Sequence, residues 1–154
     1  MSETLHGTVV LVGAHGVLIR GAPAAGKSLL ALALIDRGAR LVADDRVHVS
    51  ACGGRLVASA PAAIAGLIEL RGRGIVKVPH ERSAVIRLVV DVVGEEALDR
   101  MPEDDQMTVA LLGIPLPRQP VPDEPRRAVL LVDAAIRALF PPGNITLRSP
   151  GVWG

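Results

Sequence analysis

The stretch from Gly21 to Ser28 restricts the possible folds of this chain more than any other part of the sequence. It reads GAPAAGKS and fits the pattern G-x-x-x-x-G-K-[ST]. An aliphatic run precedes it, and the alanine- and leucine-rich segment from about Gly26 to Arg37 follows, with Gly38 as a plausible C-cap. Strand, glycine-containing loop and helix in this order are typical of an α/β protein with a phosphate-binding loop.

The eight residues of this loop are predicted to bind a nucleotide. In such loops the backbone amides and the positive end of the helix dipole hold phosphates. Lys27 is expected to reach the β- and γ-phosphates, and the Ser28 hydroxyl is expected to ligate magnesium. The predicted nucleotide-binding residues are Gly21, Ala22, Pro23, Ala24, Ala25, Gly26, Lys27 and Ser28. The pattern does not identify what receives the phosphate, because such loops serve many enzymes and switches.

The rest of the chain divides into further short elements. Residues 8–12 and 16–20 predict an antiparallel hairpin around Gly13-Ala14-His15. The β-branched run 85–93 predicts a strand whose two charges, Arg87 and Asp91, lie at an exposed face or edge. Residues 108–116 predict another strand and residues 127–140 a second helix, while the tail from Gly143 is left unassigned.

Two adjacent aspartates follow a short apolar strand, Leu41-Val42-Ala43. We expect Asp44 and Asp45 at the carboxyl end of that strand, where ligands bind in open α/β sheets. Successive strand residues point to opposite faces, so one aspartate is expected to face the nucleotide while the other braces the loop or the metal. His6 could lie beside a carboxylate and orient it. The alternatives are a solvated turn for the aspartates and an ordinary surface position for His6.

Composition narrows the possible partners. The 154 residues are 49% hydrophobic and suffice for one compact domain, residues 1–154. Seventeen basic against 16 acidic residues, with Phe140 and Trp153 as the only aromatic side chains, argue against nucleic acid. No apolar run reaches the length of a membrane span, and no leader pattern is seen at Met1, so a cytoplasmic protein without membrane contact is expected.

Several motifs together resemble one family. These are His6-Gly7, the loop GAPAAGKS, DRGARLVADD at 36–45 and LIELRGRGI at 67–75. The combination closely resembles the catalytic domain of bacterial HPr kinase/phosphorylase. The resemblance implies an α/β P-loop core akin to that of phosphoenolpyruvate carboxykinases, a mixed sheet with flanking helices, and assembly into hexamers. It also implies ATP and Mg²⁺ as cofactors and the phosphocarrier HPr as the protein substrate.

Matching the family's motifs position by position implies roles for single residues. Asp45 resembles the proton acceptor for the substrate serine and the proton donor in the reverse reaction, with His6 and Lys27 as catalytic companions. The implied metal-associated residues are Ser28, Asp44 and Glu69. Arg100 matches the family's catalytic arginine. The arginines that could supply this charge instead are Arg118, Arg126 and Arg127.

The sequence departs from the family pattern at two places. The family usually has a separate N-terminal domain, whereas this chain begins almost at His6. Where the family carries a basic proline-glycine-arginine-asparagine signature associated with dephosphorylation, this chain has Pro122-Asp123-Glu124-Pro125-Arg126-Arg127. Phosphorolysis is therefore less expected than kinase activity. Two other interpretations stay open: a kinase for a small molecule, and a nucleotide-sensing module without turnover.

Overall fold

A computed structural model describes residues 1–23 and 25–141 of the chain. Within these residues the chain forms nine strands, two α-helices and three short 3₁₀ turns. The strands are β1 (Ser2–Val12), β2 (His15–Arg20), β3 (Arg40–Cys52), β4 (Arg55–Ser59), β5 (Leu67–Leu70), β6 (Gly74–Lys77), β7 (Ser83–Val93), β8 (Thr108–Leu111) and β9 (Ile114–Pro122). The helices are α1 (Lys27–Asp36) and α2 (Pro125–Leu139).

The large sheet closes on itself around β7. Its strand order is β2-β1-β3-β4-β7-β9-β8, and β7 also pairs with β2. The pairs β2–β7 and β7–β9 are parallel, and the other pairs in this sheet are antiparallel. Strands β5 and β6 form a separate two-stranded sheet. The predicted α/β fold with a mixed sheet and flanking helices is confirmed.

The alternation of side chains along the strands produces two cores. Val9 and Leu18 point into the interior of the closed sheet and belong to one apolar cluster. Their neighbours Val10 and Ile19 point outward and pack beneath the helices in the other cluster. Strand β2 and the part of β1 that pairs with it are thus buried on both faces, and the phosphate loop starts at the end of β2.

The start of α2 has a local cause that the sequence analysis missed. The Glu124 side chain accepts hydrogen bonds from the backbone amides of Arg126 and Arg127, and Pro125 occupies the first turn. A carboxylate cap followed by proline is a strong N-terminal signal. The helix therefore begins at Pro125, two residues before the predicted start at Arg127.

Three further predictions about the elements are corrected. The strand from Leu41 does not end at Asp44-Asp45 but runs on as β3, because β1 reaches back to Ser2 and pairs with β3 along most of its length. Residues 108–116 are not one strand but part of the β8–β9 hairpin, which turns at Leu112 and Gly113, both with positive φ. Asp91 does not lie on an exposed face; only 13% of its side chain is exposed, and Arg20 and Arg118 contact its carboxylate.

The β1–β2 hairpin and the strand at β7 are confirmed, and α1 differs from its prediction by one residue at each end. Ala24 and the tail from Gly143 lie outside the described residues. None of the helices in the described part of the chain is long and apolar enough to cross a membrane.

Candidate active site

A cavity of about 540 Å³ lies where α1, β1, β3 and β5 meet. It brings together side chains that are far apart in the sequence. The predicted site residues that line it are His6, Gly21, Pro23, Gly26, Lys27, Ser28, Asp44, Asp45 and Glu69. Ala22 and Ala25 belong to the same loop but do not line the cavity, and Ala24 is outside the described residues.

The phosphate loop is tightly seated on the sheet. Gly26 adopts φ 94° as the N-cap of α1, a left-handed conformation that favours glycine. A Cβ added to Gly21 would lie 3.3 Å from the Cβ of Val92, so the loop begins in close contact with β7. The Lys27 ammonium donates to the carbonyl oxygens of Gly21 at 2.9 Å and Ala22 at 3.1 Å. The lysine is thereby held at its own loop, next to the cavity.

The Asp44 carboxylate lies beneath the loop and accepts hydrogen bonds from three different residues. It is 9% exposed and accepts a hydrogen bond from the Ser28 hydroxyl at 3.0 Å. The Thr8 hydroxyl donates to the same carboxylate oxygen at 2.9 Å, and the Glu69 amide donates to the other oxygen at 3.1 Å. A buried carboxylate with three donors is well stabilised. Asp44 therefore fixes the start of α1 against β1, β3 and β5.

Thr8 is a site residue that the sequence analysis missed. It is 1% exposed and lies in a run of valines on β1. A polar residue inside such an apolar run was an available signal, because a buried hydroxyl needs a hydrogen-bond partner.

Asp45 lies on the rim of the cavity beside His6. Its carboxylate is 3.3 Å from the His6 Nδ1, and the side chains are 68% and 79% exposed respectively. Asp45 adopts φ 72°, which is unusual for a residue with a side chain. Its partner across the sheet is Gly7, where a Cβ would come within 2.8 Å of the Ile19 carbonyl oxygen. In the His6-Gly7 motif, the His6 ring contacts the Asp45 carboxylate, and Gly7 allows the backbone of β1 to approach the Ile19 carbonyl closely.

The cavity suits a magnesium ion that arrives with phosphates better than a metal held by protein alone. Asp44, Glu69 and the Ser28 hydroxyl offer the oxygen ligands that Mg²⁺ prefers. Within residues 1–23 and 25–141, no cluster of three or more His, Cys, Asp or Glu side chains could hold a metal ion. Mg²⁺ at phosphate sites commonly uses one or two carboxylates together with phosphates and water, so the residues present fit it.

The candidate arginines are not at the cavity. Arg100 is exposed on the connection between β7 and β8 and does not line the cavity. Arg118 is bound to Asp91, Arg127 pairs with Glu95, and Arg126 is exposed at the start of α2. The structure therefore does not bring any of these guanidinium groups to the loop.

The comparison with protein families gives a clear result. The model of the "HPr Serine kinase C-terminal domain" matches residues 1–141. The chain belongs to this family. The match covers the P-loop, both aspartates and the β8–β9 hairpin of this HPr kinase family member.

Individual relatives agree with this assignment. An HPr kinase/phosphorylase of Geobacillus thermodenitrificans is 38% identical over an alignment of 168 positions, which covers 98% of this chain and 50% of the relative. One of Clostridium tetani is 34% identical over 146 residues, covering 88% of this chain and 48% of the relative. The chain thus spans about half the length of the curated relatives it matches.

A solved structure agrees with the fold as well. The Hpr(Ser) kinase/phosphatase from Coxiella burnetii matches with a TM-score of 0.77 and 31% sequence identity. The match covers 88% of this chain and 89% of that chain. The family member described here therefore has the architecture of a known HPr kinase chain.

Proposed function

We propose that this chain is an ATP- and Mg²⁺-dependent serine kinase domain, comprising residues 1–154, whose substrate is an HPr-like phosphocarrier protein. The observation that carries the proposal is the arrangement of one cavity. Its floor is the phosphate loop with Lys27 and Ser28, and its rim is the solvent-exposed pair of Asp45 and His6. A phosphate donor and a protein hydroxyl can approach such a site from opposite sides.

The loop residues hold the donor in this proposal. Backbone N–H groups of the loop and the N-terminus of α1 bind the phosphates of ATP. Lys27 exchanges its bonds to two loop carbonyls for phosphate oxygens, because a charged acceptor binds an ammonium more strongly than a carbonyl does. Ser28, Asp44 and Glu69 would hold the magnesium. When bound, Mg²⁺ neutralises the charge that develops on the transferred group.

Asp45 is the proposed general base. Its carboxylate accepts the proton of the substrate serine while the serine oxygen bonds to the γ-phosphorus and ADP leaves. His6 orients the carboxylate from 3.3 Å away. Arg100 is the proposed counter-charge for the phosphoryl group and has to approach the cavity in the working complex. With inorganic phosphate as the acceptor, the same residues would carry out phosphorolysis: a phosphate oxygen bonds to the phosphorus of phosphoserine, the serine oxygen leaves and takes a proton from Asp45, and pyrophosphate is released.

The exposed rim favours a protein substrate over a small metabolite. Asp45 is 68% exposed, whereas an enzyme for a small molecule usually encloses its substrate. Next to the cavity, the β5–β6 turn carries Arg71 and Arg73 around Gly72, and Ile75 beyond them is 69% exposed. We propose that this basic, glycine-containing turn contacts the phosphocarrier.

Other parts of the proposal come from family membership. We propose that the protein acts in the cytoplasm as a homo-oligomer, a hexamer by family resemblance. We also propose that kinase activity dominates over phosphorolysis. This chain has a different sequence, from Pro122 to Arg127, where the family carries the signature associated with dephosphorylation; here Glu124 caps α2 and Arg127 pairs with Glu95 at 2.5 Å.

Transfer of label from γ-labelled ATP to purified HPr tests the proposed function. We expect label on wild-type HPr in the presence of Mg²⁺, and none on an HPr variant whose target serine is alanine. Removal of Mg²⁺ by a chelator should abolish transfer. Nucleotide binding without any labelled HPr would contradict the protein-kinase assignment and favour the sensor or the small-molecule kinase.

A further inference from the structure

Asp91 on β7 is the centre of a half-buried ion cluster that the proposed reaction does not use directly. Its two carboxylate oxygens accept hydrogen bonds from Nε and Nη2 of Arg20, both at 2.8 Å. Arg118 of β9 donates from Nε to one of these oxygens at 2.5 Å. Burial alone would raise the pKa of Asp91, but the hydrogen bonds and charges of the two arginines outweigh it and lower the pKa. The carboxylate is thus held in its charged form between three parallel strands.

The first arginine ties this cluster to the phosphate loop. Arg20 is the last residue of β2 and is followed directly by Gly21. It faces Asp91 in the parallel register of β2 and β7, and Gly21 packs against Val92. A two-pronged arginine–carboxylate contact fixes orientation as well as distance. The Arg20–Asp91 pair therefore sets where the strand ends and the loop begins.

The second arginine ties the cluster to the segment that carries Arg100. Arg118 donates from Nη1 to the Gln106 carbonyl at 2.8 Å, and its backbone amide donates to the Met107 carbonyl at 2.8 Å. The Gln106 side chain then donates to the Asp99 carboxylate at 3.1 Å. Asp99 is the residue next to Arg100. A continuous set of polar contacts thus runs from Asp91 to the neighbour of the proposed catalytic arginine.

We propose that Asp91 is a positioning residue that links the phosphate loop, through Arg20, to the segment that carries Arg100, through Arg118. The inference rests on the proposed function. Asp91, Arg20 and Arg118 do not line the cavity, so in this proposal they act through Gly21 and Arg100.

The contacts of Arg20 and those of Arg118 predict different kinetic effects. Arg20→Gln should weaken nucleotide binding about fivefold, because the loop loses its fixed start. Arg118→Gln should lower kcat about tenfold or more while nucleotide affinity stays within about twofold, because only the Arg100 segment is released. Asp91→Asn should show both effects. Arg37→Gln is the matched control, since its 2.7 Å pair with Asp133 joins α1 and α2 away from the cavity.

A double variant tests whether Arg118 acts through Arg100. If it does, Arg118→Gln combined with Arg100→Gln should be no slower than Arg100→Gln alone. Effects that multiply would show that Arg118 acts independently of Arg100 and would overturn this half of the inference.

The experiment measures affinity for a fluorescent ATP analogue, steady-state transfer to HPr, and thermal unfolding for each variant. Lower melting temperatures with unchanged affinity and kcat would mean a merely structural role and would overturn the proposal. If Asp91→Asn does not fold, the two arginine variants decide. If the wild type transfers nothing to HPr, the proposed function fails. The positioning role of Asp91 is then tested by nucleotide affinity alone. Weaker binding by Arg20→Gln than by Arg37→Gln supports this role, and equal binding overturns it.

Discussion

The His6 ring and the Asp45 carboxylate lie 3.3 Å apart on adjacent strands, and both are open to solvent. They meet at a point where the backbone of Asp45 takes a left-handed conformation with φ 72°. Such conformations cost free energy and persist where the surrounding structure imposes them. The β1–β3 pairing therefore holds the Asp45 carboxylate in an orientation that the isolated chain would avoid.

This backbone conformation predicts an unusual order of stabilities at position 45. Asp45→Gly should be more stable than Asp45→Ala by about 1 kcal/mol, because glycine adopts the left-handed region without strain. Urea unfolding of both variants measures the difference. The matched pair Glu81→Gly and Glu81→Ala, at a residue without positive φ, should show no such preference for glycine. Equal stabilities at position 45 would contradict the account of the strand.

The three donors to Asp44 predict that this residue supports both fold and metal. Asp44→Asn replaces one acceptor by an amide donor, which should lower the free energy of unfolding by about 1–3 kcal/mol. Binding of the nucleotide should also lose its enhancement by Mg²⁺, since Ser28 is no longer fixed by a carboxylate. Calorimetric titration with and without Mg²⁺ checks this. Asp36→Asn, at an exposed residue of α1, is the control and should change neither quantity.

The ion cluster at Asp91 predicts a dependence of stability on acid pH. The folded protein lowers the pKa of Asp91 below its ordinary value of 3.8 because the arginine contacts outweigh the effect of burial. Its contribution to stability is therefore present above about pH 4 and is lost as pH falls through the lowered value. The free energy of unfolding should differ most between wild type and Asp91→Asn near pH 7, with the difference shrinking below pH 4. A difference that grew on acidification would contradict this assignment.

The half-buried position of His15 predicts a second dependence of stability on pH, at higher pH than that of Asp91. Burial, together with the nearby charge of Arg87, lowers the pKa of His15 from 6.5. The ring stacks on Phe140 at 4.5 Å, and its buried Nδ1 has no hydrogen-bond partner in the described part of the chain. Below pH 6.5 the unfolded chain binds the proton more readily, so stability should fall as pH drops toward the lowered value.

The variant His15→Phe keeps a ring against Phe140 and removes the titration. Thermal unfolding between pH 7 and pH 5 should show a smaller loss of melting temperature in this variant than in the wild type. An identical pH profile for the two proteins would show that His15 does not carry the effect.

Much of the site could be predicted because its residues belong to local motifs. The motif from Gly21 to Ser28 joins β2 to the start of α1 as predicted, and the cavity brings His6, Asp45 and Glu69 to it. Thr8 and the cluster around Asp91 were missed because their partners are 36 and 71 residues distant in the sequence. A charge in an apolar strand looks exposed until the strands beside it are known.

The wrong predictions of strand ends and turns also have specific causes. The two charges of Asp44-Asp45 predict a strand end because charges usually stop an apolar run, yet the pairing with β1 carries β3 through them. The turn at Leu112-Gly113 was missed because leucine is rarely found with the positive φ observed there. Arg100 stays a prediction, since the structure leaves it outside the cavity.

Single-turnover transfer from γ-labelled ATP to HPr by wild type and Asp45→Asn tests the central claim most directly. Asparagine tolerates the left-handed backbone and keeps the shape of the side chain, so the variant removes the base with little other change. The account predicts unchanged affinity for ATP and a transfer rate reduced about 10²–10⁴-fold. A variant that transfers phosphate at the wild-type rate would contradict the assignment of Asp45 as the general base.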